Sequence, residues 1–228
     1  MGTIAENIQT IRSSIAAALS GEDRTVLLVA ATKMNSADRI REAIAAGVDA
    51  CGENKVQEFL EKDALGAYDG CPKHFIGHLQ RNKVNKLVGR VDLIQSVDSD
   101  ELLSLIERRA AALGIRQDIL IELSVAGEAQ KSGIPPAALD AMLAAAARCP
   151  HISVRGLMCV PPIVPDGGTN RPYFALMRQL FVDNSGKKYD NVSMDFLSMG
   201  MTDDYTDAVA EGANMVRIGS AIFGRRQY

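Results

Sequence analysis

The chain has 228 residues, of which 47% are hydrophobic, and this length suits one α/β barrel or two smaller domains. Its 25 basic and 28 acidic residues give a formal charge of −3, which argues against a nucleic-acid-binding protein because such proteins carry basic patches. The longest apolar run, Ala141–Ala147, is far shorter than the ~20 residues that span a bilayer. The first residues lack the basic and apolar regions of a signal peptide, so we expect a soluble, cytoplasmic protein that binds neither nucleic acid nor membranes.

Short β-rich runs alternate along the chain with amphipathic or alanine-rich stretches, and no low-complexity linker interrupts them, so we expect a single domain over residues 1–228. The predicted strands are Val26–Thr32, Val48–Cys51, His74–Ile76, Val91–Val97, Asp118–Val125, Ile152–Val160, Val192–Met199 and Asn214–Ile218. The predicted helices are an extra N-terminal helix, Ile4–Leu19, followed by Ala37–Ala46, Lys55–Lys62, Asn82–Val88, Glu101–Leu113, Pro136–Arg148, Arg171–Asp183 and Asp204–Glu211. Eight strand–helix units favour a closed (β/α)8 TIM barrel with a parallel sheet over an open doubly wound sheet.

Cysteine and histidine give no indication of a disulfide scaffold or a metal centre. The cysteines are Cys51, Cys71, Cys149 and Cys159. None belongs to a C-x-x-C pair, so small buried thiols are the expected state. His74 and His78 are four residues apart, as helical metal ligands are, but Phe75-Ile76 between them predicts a strand. The sequence therefore predicts no metal site.

The active site of a (β/α)8 barrel lies at the carboxyl ends of its strands, and the first predicted strand leads directly to Lys33. This lysine either extends to solvent at the rim or holds an amine at the mouth of an apolar barrel. In the second case desolvation lowers the pKa of the amine, which can then form a Schiff base with an aldehyde. The position of Lys33 alone leaves both interpretations open.

The seventh and eighth strands end in Leu197–Thr202 and Met215–Ser220, segments that combine glycine with hydroxyl residues. Backbone N–H groups and hydroxyls at such turns bind phosphate, although each residue alone is also typical of an ordinary turn. Alternation along the eighth strand places Arg217 and Gly219 on one face. If that face lines the barrel interior, Arg217 is a buried cation, and together with Lys33 it indicates a phosphate-bearing ligand.

Other polar residues follow the second and third predicted strands. Asn54 either faces a ligand or caps the next helix. His78 lies at the same rim and either contacts a ligand or has a structural role. A basic cluster on the next helix is typical of a solvated helix face. This cluster consists of Arg81, Lys83, Lys86 and Arg90.

Seven segments, taken in order, resemble the pyridoxal 5′-phosphate (PLP) homeostasis protein family, single-domain relatives of the alanine racemase N-terminal barrel. They are Val29–Lys33, Gly52–Glu58, His74–Gln80, Gly127–Gly133, Arg155–Cys159, Leu197–Asp204 and Met215–Gly224. The resemblance covers nearly the whole chain. It implies that the protein binds PLP as its cofactor and acts in intracellular PLP homeostasis, with PLP-requiring apo-enzymes as the recipients.

The resemblance also assigns roles to individual residues. It implies that Lys33 bears the cofactor as a Schiff base, that Ser198, Gly219 and Ser220 contact the phosphate, and that Arg217 faces the pyridine nitrogen. The expected cofactor-binding residues are therefore Lys33, Asn54, His78, Ser198, Arg217, Gly219 and Ser220.

Three positions depart from the pattern of the family. Lys55 stands where a tyrosine is common, and it adds a cation near the mouth of the barrel. Ser220 replaces a common threonine but keeps the hydroxyl. The Pro161–Arg171 loop contains the additional pair Gly167-Gly168.

Binding of PLP does not by itself imply catalysis. Alanine racemases take a second catalytic base, a tyrosine, from an added C-terminal domain, and few residues follow Ser220 here. The guanidinium of Arg217 disfavours a protonated pyridine nitrogen, which weakens the ring as an electron sink. We therefore expect a PLP-binding protein with no required reaction, working as a monomer or weak dimer. A low-activity amino-acid racemase and an aldolase that uses Lys33 on a sugar phosphate are the alternatives.

Overall fold

A closed barrel of parallel strands is seen in the computed structural model, which describes residues 2–127, 132–162, 168–187 and 189–224. Each strand pairs with the next one along the chain, and the last pairs with the first. The strands are β1 (Leu27–Ala31), β2 (Ala50–Glu53), β3 (Lys73–Phe75), β4 (Leu93–Val97), β5 (Gln117–Leu123), β6 (Ile152–Cys159), β7 (Val192–Ser198) and β8 (Met215–Ile218). The predicted (β/α)8 barrel is confirmed.

Helices lie between the strands and cover the outside of the barrel. They are α1 (Ile4–Leu19), α2 (Ala37–Ala45), α3 (Val56–Ala64), α4 (Val84–Leu87), α5 (Asp100–Leu113), α6 (Leu139–Ala146), α7 (Arg171–Ser185), α8 (Tyr205–Ala210) and α9 (Ser220–Phe223). Both α4 and α6 continue from short 3-10 turns, at Arg81–Lys83 and Pro136–Ala138. The predicted helices Asn82–Val88 and Pro136–Arg148 are therefore each divided, and α9 is additional to the eight predicted helices.

The second strand lies two residues further along the chain than predicted. The Val48 N–H bonds to the Ala43 carbonyl at 3.3 Å, so Val48 closes the end of α2 instead of opening a strand. Gly47, with a φ of 92°, permits this closure because glycine adopts the left-handed conformation at little cost. At its other end β2 continues through Glu53, whose side chain is buried among polar partners. The prediction of Val48–Cys51 was therefore wrong at both ends.

Alternation along the strands divides the core into two layers. One layer fills the barrel interior, where side chains from six strands pack together. These side chains are Val29, Ala50, Leu93, Leu120, Met158 and Met215. The other layer lies between the barrel and its helices and contains residues such as Leu28 and Ala30. Because successive residues point to opposite faces, Arg217 shares the inner face with Met215, as the alternation predicted.

The N-terminal helix supports the mouth of the barrel through α9. A capping box between Thr3 and Glu6 begins α1, and isoleucines three or four residues apart bury one of its faces. The Asn7 side chain of α1 then donates from Nδ2 to the Ile222 carbonyl of α9 at 2.9 Å. The Arg39 guanidinium of α2 donates to the Phe223 carbonyl. These two contacts hold the segment that begins with Ser220.

Some predicted features lie outside the described residues. They include residues 128–131 of the Gly127–Gly133 segment and residues 163–167 of the Pro161–Arg171 loop, so the Gly167 half of the glycine pair is among them. Within the described ranges, no helix has both the length and the apolar character needed to cross a membrane.

Candidate functional site

A chain of buried hydrogen bonds crosses the barrel interior and ends on Arg217. Its Nη1 donates to Ser198 Oγ at 2.5 Å, and its Nη2 donates to the Cys159 carbonyl at 2.7 Å. Ser198 Oγ donates to Gln95 Oε1 at 2.7 Å, and Gln95 Nε2 lies 3.0 Å from His74 Nδ1. All five residues are buried. The network therefore links β3, β4, β6, β7 and β8 around one guanidinium.

Burial sets the charge state at both ends of this network. It lowers the pKa of His74 to about 4, so the imidazole is neutral at pH 7 and its Nδ1 can accept a hydrogen bond from Gln95. Burial also lowers the pKa of Arg217, although a guanidinium stays protonated at neutral pH. The interior thus holds a fixed positive charge, and its hydrogen bonds to Ser198 and Cys159 go to neutral oxygens.

Glu122 adds a buried carboxyl group at the same level of the barrel. It pairs in register with Met158, which in turn pairs with Ser198. Burial raises the pKa of Glu122 to about 7, and the nearby Asp98 charge adds to this effect. Arg217 and a hydrogen bond from Ser132 act in the opposite direction. Glu122 is therefore partly protonated near neutral pH.

Lys33 lies on a tight turn directly after β1. The strand ends at Ala31, and the Asn35 N–H bonds to the Thr32 carbonyl at 3.1 Å, closing the turn around Lys33. Asn35 Nδ2 donates to the Lys33 carbonyl at 3.1 Å. Met34 adopts a left-handed φ of 61°, which is uncommon for a residue other than glycine. Lys33 itself is half-buried, so the turn places it at the rim of the barrel.

The ends of β8 and β1 approach each other closely at Gly219. A Cβ at this position would lie 3.3 Å from the Ala31 carbonyl oxygen and 3.4 Å from the Ala31 Cβ. Glycine therefore lets the backbone that leads into α9 pass beside the end of β1. This contact brings Ser220, the first residue of α9, to the side of the mouth that carries Lys33.

A pair of hydroxyl groups lies beside this contact. Ser220 Oγ donates to Thr202 Oγ1 at 3.1 Å, so the ends of β7 and β8 present two hydroxyls together. Sequence reasoning did not count Thr202 among the site residues, although it closes the same Leu197–Thr202 segment as Ser198. Of the two predicted phosphate hydroxyls, Ser220 lies in this pair, whereas the Ser198 hydroxyl points inward to Arg217.

Asn54 presents an unpaired polar atom. Its Oδ1 is buried and has no hydrogen-bond partner among the residues that the structure describes. The N-cap of α3 is Lys55, so Asn54 does not occupy the capping position that was its alternative role. A buried amide oxygen without a partner is costly, and a bound polar ligand could satisfy it.

His78 is largely exposed and lines a separate cleft. Its side chain is 60% exposed, and its Nδ1 is 3.5 Å from Asp98 Oδ2. It lines an open cleft of about 580 Å³ together with Gln80, Arg81 and Ser99. No other predicted cofactor-binding residue lines this cleft. Across the described ranges, no group of three or more histidine, cysteine or acidic side chains is arranged to hold a metal ion.

Comparisons with known proteins extend over the whole chain. The family model described as "Alanine racemase, N-terminal domain" matches residues 1–227. The pyridoxal phosphate homeostasis protein of Aquifex aeolicus is 41% identical over 222 residues, which cover 97% of this chain and 96% of that protein. The protein of the same name from Pseudomonas aeruginosa is 40% identical, with coverage of 100% and 98%. The solved structure of PipY from Synechococcus elongatus with PLP bound has a TM-score of 0.84 at 34% identity, with coverage of 97% and 100%.

Proposed function

The chain belongs to the family of pyridoxal phosphate homeostasis proteins, which carry the alanine racemase N-terminal domain, and from this premise we propose that it binds PLP and serves in PLP homeostasis. The observation that carries the proposal is the contact of Gly219 with Ala31. It places an amine-bearing turn beside a pair of hydroxyls, with a buried guanidinium on the strand between them. These groups match the aldehyde, the phosphate and the ring nitrogen of PLP.

The phosphate end of the ligand is assigned to the hydroxyl pair. Ser220 and Thr202 donate hydrogen bonds to phosphate oxygens, and Gly219 allows the backbone to approach the dianion closely. Ser220 is exposed and Thr202 half-buried, so a phosphate can reach both from solvent. The unpaired Oδ1 of Asn54 supplies a further polar contact on the β2 side.

Lys33 is assigned the covalent bond to the ligand. Bound PLP would supply an aldehyde, and Lys33 would be the residue that holds it through a C=N bond, with water as the other product. The reaction is reversible by hydrolysis, as release requires. The turn around Lys33 fixes the direction from which the amine approaches.

Arg217 is assigned the contact with the pyridine nitrogen. A guanidinium donates hydrogen bonds and cannot supply a neutral nitrogen with a proton at physiological pH. The ring therefore stays a weak acceptor of electrons, which suits holding PLP better than amino-acid chemistry. We propose further that the cargo passes to PLP-requiring enzymes in the cytoplasm, and that the chain works as a monomer or weak dimer.

Reductive trapping tests this proposal. The protein is incubated with PLP, treated with borohydride to fix any C=N bond, digested, and examined by mass spectrometry. The adduct is expected on the peptide with Lys33, and Lys33→Ala should remove it together with the visible absorption band. Lys55→Ala is the matched control, because Lys55 is 74% exposed and lies just after the next strand. An adduct on Lys55, or on no lysine, would overturn the assignment.

A further inference from the structure

A second buried polar cluster lies on the outer side of the barrel, between β2 and α3. The Glu53 side chain is 1% exposed, and its Oε2 lies 2.6 Å from Lys62 Nζ. The same oxygen accepts hydrogen bonds from Thr32 Oγ1 at 3.0 Å and from the Tyr68 hydroxyl at 3.4 Å. Because Thr32 is the residue before Lys33, the cluster is built directly behind the turn that carries the amine.

The cluster also bonds to the backbone on both sides of Lys33. Lys62 Nζ donates to the Thr32 carbonyl at 2.9 Å. The Met34 N–H donates to Glu58 Oε2 at 2.9 Å, and that carboxylate also binds Lys62 at 3.1 Å. Burial alone would raise the pKa of Glu58, but the Met34 N–H and the Lys62 ammonium hold it below its usual value. The residues before and after Lys33 are therefore both held by one ion-pair cluster.

The other oxygen of Glu53 reaches the second strand end. Glu53 Oε1 accepts a hydrogen bond from the Asn54 N–H at 2.8 Å. A single carboxylate thus connects the turn of Lys33, at the end of β1, with Asn54, at the end of β2. Both residues are among those expected to contact the cofactor.

The energetics of such a cluster are better explained by a role in positioning the turn than by a contribution to stability alone. A buried ion pair often stabilises a protein no more than apolar side chains of similar volume, because both charges lose their hydration. Here the pair directs its hydrogen bonds at a turn in which Met34 holds an uncommon left-handed φ. Such conformations persist when the surroundings enforce them, and they concentrate at functional sites.

We propose that Glu53 and Lys62 are positioning residues that fix the Lys33 amine and Asn54 relative to each other. The proposal rests on the assignment of Lys33 as the PLP-bearing lysine. Neither residue of the pair needs to touch the ligand. Their contribution is to hold the turn so that the amine meets the aldehyde in the productive direction.

The chain offers a matched control for the loss of an ion pair. Asp49, the residue before β2, accepts the Leu28 N–H of β1 at 2.6 Å and pairs with Arg12 at 2.7 Å. It therefore ties together the same two strands as Glu53 does, but at the opposite end of the barrel. Asp49→Asn should lower the melting temperature without altering the turn of Lys33.

The experiment compares Glu53→Gln and Lys62→Met with Asp49→Asn by two readouts. The first is the rate of acetic anhydride labelling of Lys33 as a function of pH in PLP-free protein, with Lys86, an exposed lysine outside the cluster, as the internal reference in the same digest. The second is the rate at which the visible band develops after PLP is added. We expect a changed Lys33 labelling profile and a rate of band formation lowered on the order of tenfold or more in the first two variants only. Lys62→Arg, which keeps the cation, should restore part of the rate.

The outcomes separate this proposal from the one on which it rests. If Glu53→Gln and Lys62→Met behave like Asp49→Asn in both readouts, the pair serves stability alone and the proposal is overturned. If wild-type protein forms no adduct on Lys33, the assigned function fails, while an altered labelling profile would still establish control of the turn. Should a single variant fail to fold, Glu53→Gln with Lys62→Met is measured in its place, because it removes both charges of the buried pair together. Glu58 then keeps the Met34 N–H at 2.9 Å and the Lys55 ammonium at 3.8 Å as partners.

Discussion

Arg217 and Ser198 meet inside the barrel, with the guanidinium Nη1 2.5 Å from the serine Oγ, although they lie on different strands. The serine hydroxyl donates onward to Gln95, so it both accepts from the cation and fixes its direction. The buried charge is thereby held in place before any ligand arrives.

Ser198→Ala should therefore destabilise the protein. Loss of the hydroxyl leaves a buried guanidinium N–H without its acceptor, at a cost of about 1–3 kcal/mol. Urea unfolding measures the change in stability. Ser193→Ala is the control, since Ser193 is a half-buried serine near the start of the same strand, and its hydroxyl bonds Asp195 and not Arg217. Equal stabilities of Ser198→Ala and wild type would show that Arg217 does not depend on this contact.

Ser220→Ala combined with Thr202→Val should weaken PLP binding. Each hydroxyl bond to a phosphate dianion contributes about 1.5–3 kcal/mol, or roughly tenfold or more in affinity. Titration by absorbance measures the loss.

Pyridoxal, which lacks the phosphate, supplies the control for this variant. Its binding should be the same in the variant and in wild type. A parallel loss for both ligands would mean that the hydroxyl pair acts on the fold and not on the phosphate.

The sequence was sufficient for the barrel and for the placement of Arg217 and Lys33 in it. Alternation in β8 predicted the inward Arg217, and the end of the first strand predicted a lysine at the rim. Each of these predictions depends only on residues that are close together in the sequence, so a short pattern is sufficient to make it. The direction of the Ser198 hydroxyl could not be predicted in this way, because its partner Gln95 is 103 residues away in the chain.

The Glu53 cluster illustrates the same limit. After Cys51-Gly52 a glutamate looks like the first polar residue of a loop, yet it is buried by partners from the turn after β1, from α3 and from the segment after α3. Thr32, Lys62 and Tyr68 come from separate elements, and only closure of the barrel brings them together. Likewise, the left-handed φ of Met34 could not be predicted from the type of residue.

Two buried titratable groups should give opposite slopes of stability against pH. The pKa of Glu122 is raised from 4.5 to about 7, so the folded state binds more protons than the unfolded state between these values, and stability falls as pH rises. The pKa of His74 is lowered from 6.5 to about 4, so the unfolded state binds more protons there, and stability falls as pH decreases. Each effect is on the order of 3 kcal/mol across its full window.

Single variants should separate the two slopes. In urea unfolding between pH 4.5 and 7.5, Glu122→Gln should gain stability relative to wild type as the pH rises. His74→Gln should gain stability relative to wild type as the pH falls from 6.5. Differences from wild type are compared because all other titrating groups then cancel. Difference profiles with no slope would mean that these groups titrate normally in the folded protein.

The charge of Arg217 should decide how far the site can move towards amino-acid chemistry. With a carboxylate opposite the ring nitrogen, as in Arg217→Glu, a protonated pyridine becomes favourable and the ring withdraws electrons more strongly. Proton loss from the α-carbon of added alanine should then rise above that of wild type and of the neutral variant Arg217→Gln. Proton NMR in heavy water follows the α-signal, and absorbance confirms that each variant still holds PLP.

The stereochemistry of that exchange provides the sharper test. The Lys33 amine, once freed by the incoming amino acid, can act as a base from one face of the ligand. Label should therefore enter one enantiomer of alanine, with little racemisation, because the second face has no assigned base. If Arg217 is only a structural cation, Arg217→Glu loses folding or PLP and gains no exchange. The neutral variant Arg217→Gln is then examined for the same two losses, of folding and of PLP binding. Rapid racemisation by the unmutated protein would instead identify an amino-acid racemase and overturn the assignment as a PLP carrier.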